Sequence, residues 1–423
     1  MTSRERLIQT LNHKDPGKVV VDLGSNIASG IHVGALDKLR KALGLEYRPV
    51  KVYEPYGMLG LVEQDVVEAL EIDVLPVAPL GTLFGYKNKT WKPWKLPDGT
   101  DVLIGEGFTY TIDEKGDYYV YPSGDTSAAP SAKMPKNGFY FDNLVRQQPI
   151  DEMNLSARKD YSEDFELFDD DDLEYLEKTS RYLYENTDFG LNGGNFLGRI
   201  GDFVTLAGAW MKNPRGIRNI EEWVVYHCLH PEYIKETYDM QIESIIKNLE
   251  LYKQAVGERI QTIQISGTDF GTQRGLFISR DMYREFYKPY HKKINDWVHQ
   301  NTNWKTLYHS CGSVVELIED FIESGWDVFN TVQCSAAGMD PSLLKSKFGD
   351  RLTFWGGLVD TQKTLPFGTP EEVREEVLQR LNIFAPGGGY VASTVHDIQY
   401  NTPVENIIAM FDAIKYYNNK IIK

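Results

Sequence analysis

Cysteine is scarce in this chain. Cys228, Cys311 and Cys334 are the only three among 423 residues, a small and odd number that argues against a disulfide framework and leaves each thiol to packing or to chemistry. Long apolar runs are missing as well. No stretch approaches the roughly 18–20 apolar residues that a membrane span needs, and residues 1–12 mix charged and polar groups without the apolar core of a secretion signal. Positive charge is in deficit: 45 Lys and Arg stand against 61 Asp and Glu, a formal net charge of −16. That balance argues against a phosphate backbone or an anionic membrane surface as the main partner. There is no P-loop and no G-x-G-x-x-G after a strand; Gly387-Gly388-Gly389 precedes a strand and reads as a turn. The expectation is a soluble cytoplasmic protein that binds neither nucleic acid nor membrane.

The length is generous for one domain but ordinary for a barrel with insertions. Residues 19–24 (VVVDLG) and 73–78 (DVLPVA) predict buried strands, and 35–43 and 63–70 predict helices. Between 81 and 144 the pattern changes to short alternating segments such as 109–113 and 118–121, punctuated by Pro and Gly. Asp98-Gly99 and Lys115-Gly116 sit where hairpin turns would fall. This stretch is read as a β-rich insertion within a single domain spanning 1–423. Residues 163–177 carry nine acids, Asp169 to Asp172 among them, the signature of a solvated helix face or loop. Residues 190–200 predict a strand and a backbone-tight, Gly-rich loop, and 221–229 and 233–255 predict helices.

From residue 259 the alternation is regular. Strands are predicted at 262–266, 305–308, 328–332, 352–355 and 390–395, with helices at 280–299, 313–324, 341–347 and 370–384 and a closing helix at 405–417. Repeated strand-then-helix units imply parallel strands with crossovers. A doubly wound sheet and a barrel both satisfy that pattern.

Polar residues stand at the carboxyl end of each of these strands: Asp269, then His309-Ser310-Cys311-Gly312, then Gln333 and Cys334, then Asp360, then His396-Asp397. In a barrel such ends converge on one face, where active sites form. His309 and Cys311 are two residues apart, so an extended backbone puts both side chains on one side. Imidazole with thiolate suits zinc, whose catalytic sites take three protein ligands and keep one position open. His396 and Cys334 are the strand-end candidates for the third. Competing roles are ordinary ones: Cys334 as a small buried hydrophobe, His396 as a donor to a loop carbonyl, Asp269 and Asp360 as helix N-caps. His32, in a Gly-flanked loop after the first strand, is a candidate to face substrate, as are Tyr56 and Gln333. Tyr53, Tyr56, Trp91 and Trp94 either wall a pocket or pack within the insertion. His13, His227, His230, His291 and His299 read as surface or packing residues.

At residues 309–312, and again across 388–406, the sequence resembles the uroporphyrinogen decarboxylase superfamily. The likeness opens at Ser3-Arg4-Glu5-Arg6, is densest over 268–406 and is poorest over 81–144. It implies an α/β fold of the (β/α)8 TIM-barrel type. Porphyrin-ring decarboxylases of this superfamily work without metal and carry an Arg-rich, Gln-containing segment after the first strand for the substrate's carboxylates. Here residues 23–34 read LGSNIASGIHVG, with no Arg, so a polyanion would find no cationic donor.

The corrinoid-dependent methyltransferases are the other branch, including the methylcobalamin:coenzyme M enzymes and relatives that demethylate aromatic methyl ethers. The coenzyme M enzymes hold zinc with H-x-C and a distant Cys, in a Gly-rich strand followed by Thr-Pro-x-Glu-Asn. His309 and Cys311 match the first two ligands. The frame of the third runs from Gly388-Gly389-Tyr390 to Thr402-Pro403-Val404-Glu405-Asn406, and His396 stands where the Cys would be. The segment from Thr268 through Gln273 resembles the family's stretch after an inner strand, a likeness that implies a pocket-facing Asp269.

The resemblance therefore implies zinc on His309, Cys311 and His396, with Asp269 or Asp360 to orient a ligand or take a proton. It implies methyl transfer between a small methylated substrate, foremost a methoxylated aromatic, and a corrinoid (cobalamin) on a partner protein. Zinc would polarise an ether oxygen in the demethylating direction or acidify a thiol in the reverse one. A methylcorrinoid-to-thiol transfer with a coenzyme M-like acceptor is the alternative, and a uroporphyrinogen decarboxylase-type lyase a further one. The expected partners are a corrinoid-binding protein and the methylated substrate, with a second copy of the chain (a homodimer) as a further candidate.

Overall fold

Eight short runs rich in β-branched and apolar residues pair side by side in the computed structural model, which describes residues 1–194 and 200–421. They are β1 (Val20–Val21), β2 (Val74–Val77), β3 (Gly190–Gly193), β4 (Thr262–Ser266), β5 (Lys305–His309), β6 (Val328–Asn330), β7 (Thr353–Trp355) and β8 (Tyr390–Ala392). Their order is β1-β8-β7-β6-β5-β4-β3-β2 and every pairing is parallel. The two ends of the sheet meet: the Asp73 amide donates to the Val21 carbonyl at 2.8 Å and the Val21 amide to Asp73 Oδ2 at 2.9 Å. The sheet is thus a nearly closed barrel, which removes the doubly wound alternative.

The floor is plugged from the amino terminus. Helix Ser3–Leu11 starts with a capping box between Thr2 and Glu5, which satisfies two otherwise orphaned amides. Its Leu7 and Leu11 cluster with Val20, Val74, Leu307, Val328, Trp355 and Val391, one residue from each of six strands. Leu7 lies so close to Gly190 that a side chain there would collide with it. With that end filled, a cavity can open only at the carboxyl ends of the strands. Crossover helices start on strong caps close to those ends: Asp340 caps Pro341–Phe348, and Thr369 with Glu372 boxes the start of Pro370–Phe384.

Residues 81–144 contribute to two antiparallel-rich sheets. Trp91–Lys95 and Asp101–Gly105 form a hairpin turning at Gly99, whose φ is +89°. The hairpin adds in parallel to Val50–Glu54, a strand that pattern reading overlooked. Tyr110–Ile112, Tyr118–Val120, Ala132–Met134 and Asp142–Asn143 form a meander turning first at Gly116.

Three expectations change. The acidic run is more than a solvated face: Lys87 binds Asp169 at 2.5 Å and Asp172 at 2.7 Å, Lys89 pairs with Asp171, and buried Asp164 takes Arg218 in a two-pronged bond at 2.6 and 2.9 Å. Those lysines tie the insertion to helix Asp170–Asn186. The helix expected over 280–299 is two, Arg280–Phe286 and Lys288–Asn301, because Pro289 lacks the amide that would continue the first. Of the helix expected over 313–324, Ile318–Glu323 is α-helical. The loop expected within 190–200 falls largely on 195–199, outside the described residues.

Packing histidines carry a stability consequence. His227 and His291 are buried among tyrosines and tryptophans, and burial pulls their pKa values down to about 4 and about 3; buried His32 is likewise down to about 4. The unfolded chain protonates these rings near pH 6.5 while the folded chain refuses the proton. Stability is therefore full above pH 6.5 and falls below it, by up to about 1.4 kcal/mol per pH unit for each ring. Urea midpoints should drop between pH 7 and pH 5, and His227→Gln with His291→Gln should flatten that dependence. An unchanged slope in the double variant would show that other groups set it.

Candidate metal centre and cavity

β5 ends at His309, and the next three residues form a loop that is held from every side. The Cys311 amide donates to Asp269 Oδ1 at 2.7 Å, the Gly312 amide to Gln333 Oε1 at 2.8 Å, and the Ser310 amide to the Asn330 carbonyl at 2.8 Å. Gly312 has a φ of +83°, and a Cβ there would overlap the Gly271 carbonyl. Backbone meets backbone here, so only glycine fits. Gly312→Ala should displace Cys311 and weaken metal retention at least about tenfold while the barrel stays folded, since carbonyl overlap forces the loop to move. Dialysis against a chelator followed by elemental analysis reads this out, and undiminished metal retention would refute it.

His309 is oriented from behind. Asn330 Nδ2 donates to the Trp355 carbonyl at 2.9 Å, which fixes the amide, and Asn330 Oδ1 then accepts from His309 Nδ1 at 2.6 Å. The proton is thereby held on Nδ1, leaving Nε2 as a lone-pair donor on the cavity side. Nε2 lies 3.5 Å from Cys311 Sγ, about the edge length expected for nitrogen and sulfur on one tetrahedral zinc. Ligand atoms of His309, Cys311 and His396 all lie within 4.8 Å of one another. Asp397 Oδ2 lies 3.4 Å from His396 Nδ1 and favours a proton there, while Asp397 Oδ1 accepts from the Gly30 amide at 3.0 Å. The donor set, its spacing and its supporting bonds fit zinc.

Charge agrees with that fit. Burial alone would lower the His309 pKa, but neighbouring Cys311 and Asp269 push it up to about 9. Burial disfavours the Cys311 thiolate, yet His309 and His396 bring its pKa below the ordinary thiol value. His396 is raised well above its usual value, against burial, by Asp397 and Cys311. Without metal the three share protons; the thiolate so favoured is the form a metal takes.

His309 and His396 line a cavity of about 450 Å³, with Cys311 Sγ 3.5 Å behind His309 Nε2. Tyr56 and Asp269 line it, and Asp269 Oδ1 is 3.6 Å from His309 Nε2. The structure departs from expectation at three other residues. His32 is buried away from the cavity with both ring nitrogens engaged, Nδ1 by the Gly34 amide at 3.0 Å and Nε2 by the Phe139 carbonyl at 2.7 Å. Asp360 caps the turn after β7, accepting from the amides of Gln362 and Lys363. Gln333 supports the Gly312 loop and does not line the cavity. Cys334 sits apart from the ligand group, half-buried, with burial pushing its thiol up to about 12. Trp94 packs against Phe108, Tyr110 and Tyr118 inside the insertion. Leu83 and Tyr140 are the insertion residues that reach the cavity. Asp397, flagged by its strand-end position beside His396, lines it as well. Glu54, Asp202, Gln264 and Ser266 also line it and were not picked out from the sequence, because they come together only through tertiary contacts.

A plugged floor and metal-competent side chains at the carboxyl strand ends define a (β/α)8 barrel with its site at the end where barrel enzymes act. The family model described as Uroporphyrinogen decarboxylase (URO-D) matches residues 158–417. The chain belongs to that family. Among curated proteins it is 25% identical over 192 residues to a uroporphyrinogen decarboxylase of Psychromonas ingrahamii, covering 44% of this chain and 48% of the relative. It is 29% identical over 142 residues to the methylated-thiol–coenzyme M methyltransferase of Methanosarcina mazei, covering 33% of this chain and 34% of that one. These matches span about half or less of the relatives' length. A solved methyltransferase from Methanosarcina mazei shares the fold with a TM-score of 0.55 at 16% identity, over 99% of both chains. Among the described residues no helix is long and apolar enough to cross a membrane.

Proposed function

We propose that this protein is a zinc-dependent methyltransferase that moves a methyl group between a small methylated substrate, foremost a methoxylated aromatic, and a corrinoid carried by a partner protein. The observation that carries this reading is the convergence of His309, Cys311 and His396 within 4.8 Å of one another, two of them lining an open-mouthed cavity, with His309 held in the ligand tautomer by Asn330. When bound, zinc supplies Lewis acidity toward the methylated heteroatom, and the corrinoid supplies the cobalt chemistry of the methyl group itself.

The chain's own residues orient and exclude. Asn330 and Asp397 fix the two imidazoles, and Asp269 anchors the Cys311 backbone while facing the cavity, where it can orient a bound ligand. The Tyr56 and Tyr140 side chains offer flat, largely apolar walls of the kind an aromatic substrate needs. Transfer to a coenzyme M-like thiol is the second reading, favoured by the printed name of the Methanosarcina mazei relative; His396 in the third ligand position weighs against it.

Methyl transfer from a panel of methoxylated aromatics to free cob(I)alamin tests the proposal. Zinc-loaded protein should methylate the cobalt and metal-free protein should not; equal rates with and without zinc would overturn it. Uroporphyrinogen should not be decarboxylated at a useful rate, because residues 23–34 hold no Arg and no Lys or Arg lines the cavity among the described residues. Carbon dioxide release from uroporphyrinogen by metal-free protein would reverse the assignment.

A further inference from the structure

The register between β4 and β5 shifts between Gln264 and Ser266: Gln264 pairs with Leu307, and Ser266, two residues on, with Tyr308, the very next residue. Such a bulge re-aims side chains and is frequent beside active sites. Its result here is that Gln264, Ile265 and Ser266 all line the cavity, although strict alternation would turn Ile265 away. Gln264 Oε1 and Ser266 Oγ are buried and have no hydrogen-bond partner among the described residues, and Ser266 as a whole is 2% exposed. Buried polar atoms are normally satisfied, so a pair left open beside a binding cavity calls for a ligand group.

We propose that Gln264 and Ser266 form a hydrogen-bonding subsite for a hydroxyl group on the methyl donor, so that the preferred substrate is an uncharged hydroxylated methyl ether. This rests on the methyl-transfer reading above and narrows it. An amide oxygen only accepts, and a serine hydroxyl accepts as well as donates. The ligand must therefore bring a donor hydrogen. Glu54, Asp202, Asp269 and Asp397 share the cavity wall, and no Lys or Arg does among the described residues, so a carboxylate or sulfonate on the substrate meets repulsion without a counter-charge. A neutral hydroxyl supplies the donor hydrogen without that repulsion, and a cation drawn by the carboxylates is the competing outcome that the test includes.

The test is titration calorimetry on the zinc-loaded full-length protein with 2-methoxyphenol, 1,2-dimethoxybenzene, 2-methoxybenzoate and 2-methoxybenzylamine. The phenol should bind at least about tenfold more tightly than each of the others, the scale of one well-made hydrogen bond. Gln264→Leu and Ser266→Ala should erase the preference without changing zinc content, and Gln264→Glu, which keeps an acceptor, should retain much of it. Equal affinities, preference for the benzoate or benzylamine, or indifference to the two substitutions would overturn the subsite. Tight, Gln264-dependent binding of the phenol without methyl transfer to cob(I)alamin would uphold the subsite and overturn the methyl-transfer reading.

Discussion

The unaltered protein should carry close to one zinc per chain, and His309→Ala should strip it of zinc and reduce methyl transfer to background. Each of three ligands contributes a large share of affinity at a site with one open position, so loss of any one is not made good by the others. His309 loses most, because its removal also strands the Asn330 amide oxygen that now receives Nδ1–H at 2.6 Å. Asn330→Ala should keep the ring but let its tautomer and orientation drift, weakening zinc binding roughly 10–100-fold. His396→Ala and Cys311→Ala should follow His309→Ala. Cys334→Ala should not, since that thiol is pushed up to about 12 and contacts the Gly357 carbonyl rather than the cavity. Elemental analysis decides the matter: full zinc in His396→Ala combined with loss in Cys334→Ala would mean that the third ligand is misassigned.

Thr262–Ser266 and Pro370–Phe384 have in the structure the same bounds that pattern alone predicts, one through its apolar run and the other through the Thr-Pro-Glu-Glu start. Periodicity and caps are local, and local signals survive reading without a structure. That His309, Cys311 and His396 come together was legible for a related reason: strand ends converge in a barrel, so sequence position carried spatial information. His32 shows where that stops. Its loop follows a strand, yet its ring points to a carbonyl 107 residues further on, and no pattern in 29–34 announces Phe139. Val50–Glu54 was missed because its partner strand lies in the insertion, and with it went Glu54, whose carboxylate accepts the Tyr56 and Leu83 amides at 3.0 and 3.2 Å. Asp164 read as one charge in an acidic run. Its place opposite buried Arg218 depends on a pairing that composition does not encode.

Removing the aromatic tip of the insertion should raise KM for the methyl donor by about tenfold or more while leaving zinc content intact. Long barrel insertions tend to act at the loop end, and this one delivers Leu83 and Tyr140 to the cavity wall. Its tip is braced: Phe139 stacks on Tyr400 with ring centroids 4.1 Å apart, its carbonyl meets His32 Nε2, and the Phe141 amide donates to the Tyr56 carbonyl at 2.9 Å. Such bracing holds Tyr140 at the cavity wall independently of His309, Cys311 and His396. Replacing all of 81–144 with a Gly-Ser linker is the coarser experiment, because it also strips Asp101–Gly105 from Val50–Glu54 and exposes Val50 and Val52, both now buried. Phe139→Gly combined with Tyr140→Gly isolates the tip. His32→Ala, which frees the Phe139 carbonyl from its brace, should move KM the same way by a smaller factor. A side decoration would leave kcat, KM and zinc unchanged in both variants, and that result would end the proposal that the insertion covers the site.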